Sequence, residues 1–144
     1  MEENESIHAL PMLGNKRFVV ALLAIAALSR RSAVPMSSAE LSTLIGVEAT
    51  MLRRSLGKLI KAGIVFSREG HDGGYVLNPV HESTSLADVY LAVQDVPPSK
   101  KRLDIPLSNR FSSSIIASLA EIAIEIERQK VEELEKHMIS KLSP

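Results

Sequence analysis

The sequence predicts a mainly α-helical fold with one small β-hairpin and a long C-terminal helix, on three observations. Apolar residues recur at helical spacing over most of the 144-residue chain. Two short apolar runs flank a loop rich in glycine, as the two arms of a hairpin do. Finally, neither proline nor glycine interrupts the stretch from Asn109 to Met138, which predicts a helix of roughly 45 Å.

The elements follow in chain order. From Asn15 to Ser29 nearly every position is apolar and helix-tolerant, so this helix is expected at the centre of the fold, covered on several sides; Pro35 closes the segment. Ser37 or Ser38 caps a short helix with Ala39, Leu41, Leu44 and Ile45, and Gly46 follows where the chain must turn. The next helix, about Glu48 to Ala62, puts Leu52, Leu56, Leu59 and Ile60 on one face and turns Thr50, Arg53, Arg54 and Lys61 elsewhere, before Gly63 ends it. Ile64 to Phe66 and Tyr75 to Leu77 read as strands joined by the loop Ser67 to Gly74. Ser83, Thr84 or Ser85 caps a further helix with Leu86, Val89, Tyr90 and Val93 inward.

The linker Asp95 to Pro106 precedes the long helix. The first half of that helix is apolar over a wide arc (Phe111, Ile115, Ile116, Leu119, Ile122, Ala123, Ile126) and is expected to pack on its own domain and on a second copy. Its second half keeps only the line Val131, Leu134 and Met138, expected to pair with the second copy as a thin seam.

Charge and composition narrow the function. Lysine plus arginine equal aspartate plus glutamate, 17 against 17, so net charge points to no polyanionic partner. The distribution does: from Lys16 to Asp72 the bases Lys16, Arg17, Arg30, Arg31, Arg53, Arg54, Lys58, Lys61 and Arg68 face only Glu40, Glu48, Glu69 and Asp72. Cysteine is absent, which excludes disulfides, thiol redox sensing, cysteine-ligated zinc and an all-cysteine iron–sulfur cluster. The longest apolar run, Phe18 to Leu28, is shorter than the roughly 20 residues of a membrane span. It also follows an acidic start and precedes Arg30 and Arg31, unlike a signal peptide. A cytoplasmic protein without a membrane partner is expected.

Helix, short helix, glycine turn, helix and two-stranded wing is the order of a winged helix-turn-helix. In that motif the second helix fits the major groove, its amino end reading base edges while cations hold phosphates. Here that end offers Glu48, Ala49, Thr50, Arg53 and Arg54. Lys16, Arg17 and Lys58, with Arg68 and His71 on the wing, complete the expected DNA-contacting set.

Three stretches carry a closer resemblance: Leu59 to Val65 (LIKAGIV), Gly70 to Leu77 (GHDGGYVL) and Ser85 to Val93 (SLADVYLAV). They resemble the corresponding stretches of the Rrf-two family of bacterial transcriptional regulators, and the likeness runs from about Leu13 to Val93. The resemblance implies base contacts from Glu48, Thr50 and Arg53. It places the family's wing arginine at Glu69, a departure for which Arg68 supplies the neighbouring cation. His71 and Asp72 replace the family's wing proline and first loop glycine. Cluster-bearing members carry three cysteines between the last wing-domain helix and the long helix. Asp95 to Asn109 has none, so the chain resembles a cysteine-free branch without an iron–sulfur cluster.

Other chemistries find no support. The glycine loop lacks the GK[ST] ending of a phosphate cradle. His8, His71, His81 and His137 have no metal-ligand spacing, and no serine sits in a triad-like arrangement. No metal, cofactor or enzymatic activity is expected. Ser112 to Ser114 and Lys100 to Arg102 read as a cap region and a solvated linker, the three bases being also placed to touch flanking phosphates.

The expectation is a homodimeric regulator of double-stranded DNA, a repressor by promoter occlusion. Residues 13–94 form the DNA-binding domain, 95–108 the linker and 109–144 the dimerisation helix, which pairs through Ile115, Leu119, Ile122, Ile126 and Leu134. A small-molecule effector between the body and the long helix is compatible with this. The alternative is a winged-helix module that binds a protein and never DNA, favoured by acidic Glu48 and Glu69.

Overall fold

A computed structural model describes residues 2–31, 33–95 and 109–142. Helix α1 (Glu2–Ala9) and a 3-10 turn (Leu10–Met12) lead to α2 (Lys16–Ser29), α3 (Ser38–Ile45) and α4 (Ala49–Lys61). Strands β1 (Val65–Arg68) and β2 (Gly74–Leu77), helix α5 (Leu86–Ala92), the long α6 (Arg110–Glu135) and a second 3-10 turn (Ile139–Leu142) complete the order. The linker segment 96–108 lies outside the described residues. The mainly α fold with one hairpin agrees with the sequence expectation; α1, whose residues carry no amphipathic stripe, was not anticipated.

Helix α2 is the hub, with Phe18, Ala21, Ala24 and Ile25 almost wholly buried. It starts where the Asn15 side chain accepts from the Phe18 amide, and it touches α3, α4, β2, α5 and the C-terminal turn. The Ser37 hydroxyl accepts from the Glu40 amide to begin α3, and Gly46 ends it at φ 78°, a left-handed conformation that costs glycine little. The wing is anchored to this unit. Met36 and Tyr75 exchange backbone hydrogen bonds of 3.0 and 2.8 Å across the base of β2. Gly74 makes that approach possible, since a Cβ there would stand 2.4 Å from the Met36 carbonyl oxygen. Strands β1 and β2 pair antiparallel from Val65 opposite Leu77 to Arg68 opposite Gly74.

Ser85 and Asp88 form a reciprocal capping box at the start of α5. The chain beyond α6 returns to this cap: the Leu86 amide donates to the His137 carbonyl at 2.7 Å, and the Ile139 amide to the Thr84 carbonyl at 2.9 Å. Higher up, the Tyr90 hydroxyl donates to Glu127 Oε1 at 2.7 Å, and Lys130 Nζ sits 4.7 Å from the Tyr90 ring centroid. Phe18 meets the same ring edge-on at 5.3 Å.

These contacts place the second half of the long helix, not the first, against its own domain. Leu134 (5% exposed) and Ile139 (1%) belong to the domain's own core, with Val131 and Leu142 packed against it. Leu134 is therefore removed from the dimerisation set: a side chain sealed inside its own protomer has no surface left for a second copy. A narrow apolar line suffices there because α6 lies mainly against α5, while α2 covers the C-terminal turn. The wide arc of the first half instead stands away from the body, with Phe111, Ile115, Leu119, Ile122 and Ile126 all exposed. The helix also ends at Glu135 rather than near Met138, because the return to the α5 cap requires a turn.

Two outcomes follow from this docking. Replacing Leu134 by alanine should cost about 2–5 kcal/mol in urea denaturation, with a loss that does not vary with protein concentration. Burial, and then the hydrogen bond and charge of Glu127, push the Tyr90 phenol up to about 12 from 10.0. A raised folded pKa means that this contribution to stability is complete below the ordinary tyrosine value and is lost as pH rises through about 12. The tyrosinate absorbance titration of the wild type minus that of Tyr90→Phe should show a step near 12; a step near 10 would contradict the buried, Glu127-bonded phenol.

Candidate nucleic-acid interface

Helix α4 is strongly two-faced. Leu52, Ser55, Leu56 and Leu59 are buried, whereas Thr50, Arg53, Arg54 and Lys61 are exposed. The buried Ser55 hydroxyl donates to the Arg17 carbonyl at 3.2 Å and so ties α4 to the first turn of α2. That tie brings two helix amino ends together. Between them lies a notch of about 230 Å³ lined by Lys16, Arg17, Glu48, Thr50, Met51 and Arg54. Five of the nine residues expected to contact DNA therefore converge on one place.

Glu48 occupies the cap position of α4, yet its side chain makes no capping hydrogen bond, so its carboxylate faces the notch and solvent. Arg53 lies about 100° round the helix from Arg54. Among the described residues neither arginine makes an ion pair. Lys61, omitted from the expected contact set, shares the exposed stripe with Arg54 because seven residues are nearly two whole turns. The spacing alone could have included it.

Arg68 ends β1, and His71 stands at the exposed tip of the wing with Glu69 and Asp72. The wing tip thus carries both signs of charge. Its turn is closed by the Gly73 amide donating to the Gly70 carbonyl at 3.1 Å.

Arg17 and Lys58 are the two expected contacts that the structure engages elsewhere. Arg17 pairs with Asp95 and donates to the Val93 carbonyl at 3.4 Å. Lys58 Nζ lies 2.7 Å from Asp95 Oδ1 and 3.4 Å from the Gln94 carbonyl. The hydrogen bond from Lys58, followed by that from Arg17 and by their charges, holds the Asp95 carboxyl below its ordinary range. Nothing in the sequence singled out Asp95, which reads there only as the first residue of a linker.

A sequence model of the Rrf2 family, described as iron-dependent transcriptional regulator, matches residues 14–143. The chain belongs to the Rrf2 family. Solved structures agree on the fold. A candidate transcriptional regulator of Lactobacillus plantarum aligns with a TM-score of 0.73 at 22% identity, over 88% of this chain and 86% of that one. CymR, the global cysteine regulator of B. subtilis, aligns at 0.65 and 19%, over 90% and 95%. A candidate DNA-binding protein aligns at 0.65 and 27%, over 87% and 97%. No curated protein matches the chain.

Membership makes this Rrf2 protein a transcriptional regulator of a DNA-binding class and gives it no enzymatic relatives among these structures. The iron of the family description does not fit its donor set. The sequence holds no cysteine, and among the described residues no three histidines or carboxylates are grouped to hold a metal ion. His81 Nδ1 is hydrogen-bonded with the Asn78 carbonyl oxygen, and His137, just beyond α6, faces Glu133 in its last turn. The segment 96–108 adds neither histidine nor cysteine. This is a cysteine-free Rrf2 protein. Among the described residues no single helix is long and apolar enough to cross a membrane.

Proposed function

We propose that this Rrf2 protein is a cytoplasmic homodimer that binds a palindromic operator and represses transcription by occluding a promoter. The observation that carries the reading is the amino end of α4: Thr50, Arg53 and Arg54 are solvent-exposed, Arg54 lines a notch with Lys16 and Arg17, and neither arginine is neutralised within the described residues. In this reading Arg53, Thr50 and Glu48 meet base edges, and Lys16, Arg54 and Lys61 hold phosphates. The wing, through Arg68 and His71, lies along the adjacent backbone.

A second copy supplies the symmetry. Ile115, Leu119, Ile122 and Ile126 follow one another at spacings of four, three and four, the period of a paired-helix seam, and all four are exposed. Pairing them across a twofold axis covers apolar surface that the protomer leaves in water and sets two α4 helices roughly 34 Å apart, one helical turn of DNA. Residues 13–94 act as the reading head, 95–108 as the connection and 109–126 as the dimerising arm, while 131–142 belong to the head's core.

A protein-only interaction module remains the competing reading because Glu48 places a carboxylate in the notch. A gel shift with the chain's own upstream region separates the two. The wild type should shift that duplex against competitor DNA, and the Arg53→Ala, Arg54→Ala double variant should bind at least tenfold more weakly, at about 1–3 kcal/mol per lost contact. Its circular dichroism should be unchanged. No shift by the wild type at low salt would exclude the DNA reading. For the dimer, sedimentation equilibrium should show the wild type as two chains and Ile122→Glu as one; a wild-type monomer would refute the pairing.

A further inference from the structure

Arg17 faces two ways. Its side chain borders the notch beside Lys16 and Arg54, and its guanidinium is also bound to the Asp95 carboxylate. The other oxygen of that carboxylate holds Lys58 at 2.7 Å. The two cations belong to α2 and α4, whose amino ends form the notch. Lys58 stands on the same helix flank as Met51, which also lines it. Asp95 follows α5 and begins the sequence that joins the head to the proposed dimerising arm.

The fold has little need of this carboxylate. The carbonyls of Val93 and Gln94 already place Arg17 and Lys58 at the C-terminal end of α5, where the helix dipole favours cations. The Asp95 side chain is 54% exposed, and exposed ion pairs contribute little to stability. Its effect on a polyanion is larger. A carboxylate seated between two cations withdraws both from the field that a phosphate backbone meets, and it does so at the rim of the proposed reading surface.

We propose that Asp95 is an internal competitor for DNA phosphates, occupying Arg17 and Lys58 in the free protein and giving them up when the backbone arrives. The proposal rests on the DNA-binding reading and adds a regulatory element to it. The competing anion sits at the root of the connection between reading head and dimerising arm. Whatever takes the Asp95 carboxylate off Arg17 and Lys58 raises DNA affinity, and by reciprocity bound DNA weakens the hold of the two cations on Asp95.

The test uses the full chain, a mixed-sequence duplex and fluorescence anisotropy, because the phosphate contribution does not depend on an operator. Asp95→Asn and Asp95→Ser should each bind about three- to tenfold more tightly than the wild type. That gain should vanish in a chain that also carries Arg17→Met and Lys58→Met. Equal or weaker binding by the folded Asp95 variants would overturn the proposal. So would a gain that survives without Arg17 and Lys58, since that is only the general effect of removing a negative charge. If both Asp95 variants lose their circular dichroism, the carboxylate is a structural clamp and the proposal is equally overturned. A wild type that ignores the duplex even at low salt defeats the DNA reading itself; wild-type binding with no gain in the variants defeats the competitor alone.

Discussion

Small side chains at the centre of α2 decide how closely its neighbours approach. Ala21 and Ala24 are wholly buried beside Ile25, and α4 lies against this face through Leu52, Leu56 and Leu59. Close packing of that kind leaves the pair one arrangement, because interiors tolerate neither voids nor overlap. The Ser55 hydroxyl on the Arg17 carbonyl secures it with a polar bond in an otherwise apolar contact. Everything on the outer surface of α4 inherits its direction from this inner contact. The notch with Lys16, Arg17 and Arg54 exists only because the two helix amino ends are held side by side.

The same packing distributes charge. A chain with no net charge can still present a cationic surface if its acids are spent elsewhere. Glu125 and Glu132 pair with Arg128, and Glu40 pairs with Arg31, all away from the notch. Two acids are exceptions: Glu48 lines the notch itself, and Asp95 holds Arg17 and Lys58. Asp95 joins Arg17 of α2 to Lys58 of α4 at the end of α5.

The long helix serves two masters along its length. Its carboxyl half is part of the head, locked by Leu134, by the Tyr90 to Glu127 hydrogen bond and by the return of the chain to the α5 cap. Its amino half carries the exposed apolar seam. One helix is thus core at its carboxyl end and an uncovered apolar seam at its amino end.

The sequence by itself determined the succession of elements, because caps, glycine stops and apolar periods are local properties. Ser37 and Ser85 cap the predicted helices, Gly46 turns left-handed where the chain must reverse, and the glycine loop joins two strands. The outward set on α4 was legible for the same reason, since helical period alone separates Arg53 and Arg54 from Leu52 and Leu56. Only the tertiary structure decided which half of α6 is buried, and it chose the half with fewer apolar residues. Periodicity reports that a face is apolar but not which surface will cover it, and the chain's return to the α5 cap settled that choice. Nor could the sequence say which cations are committed: Arg17, Lys58 and Asp95 are distant in the chain, and a charge is neutralised by whatever lies near it in space.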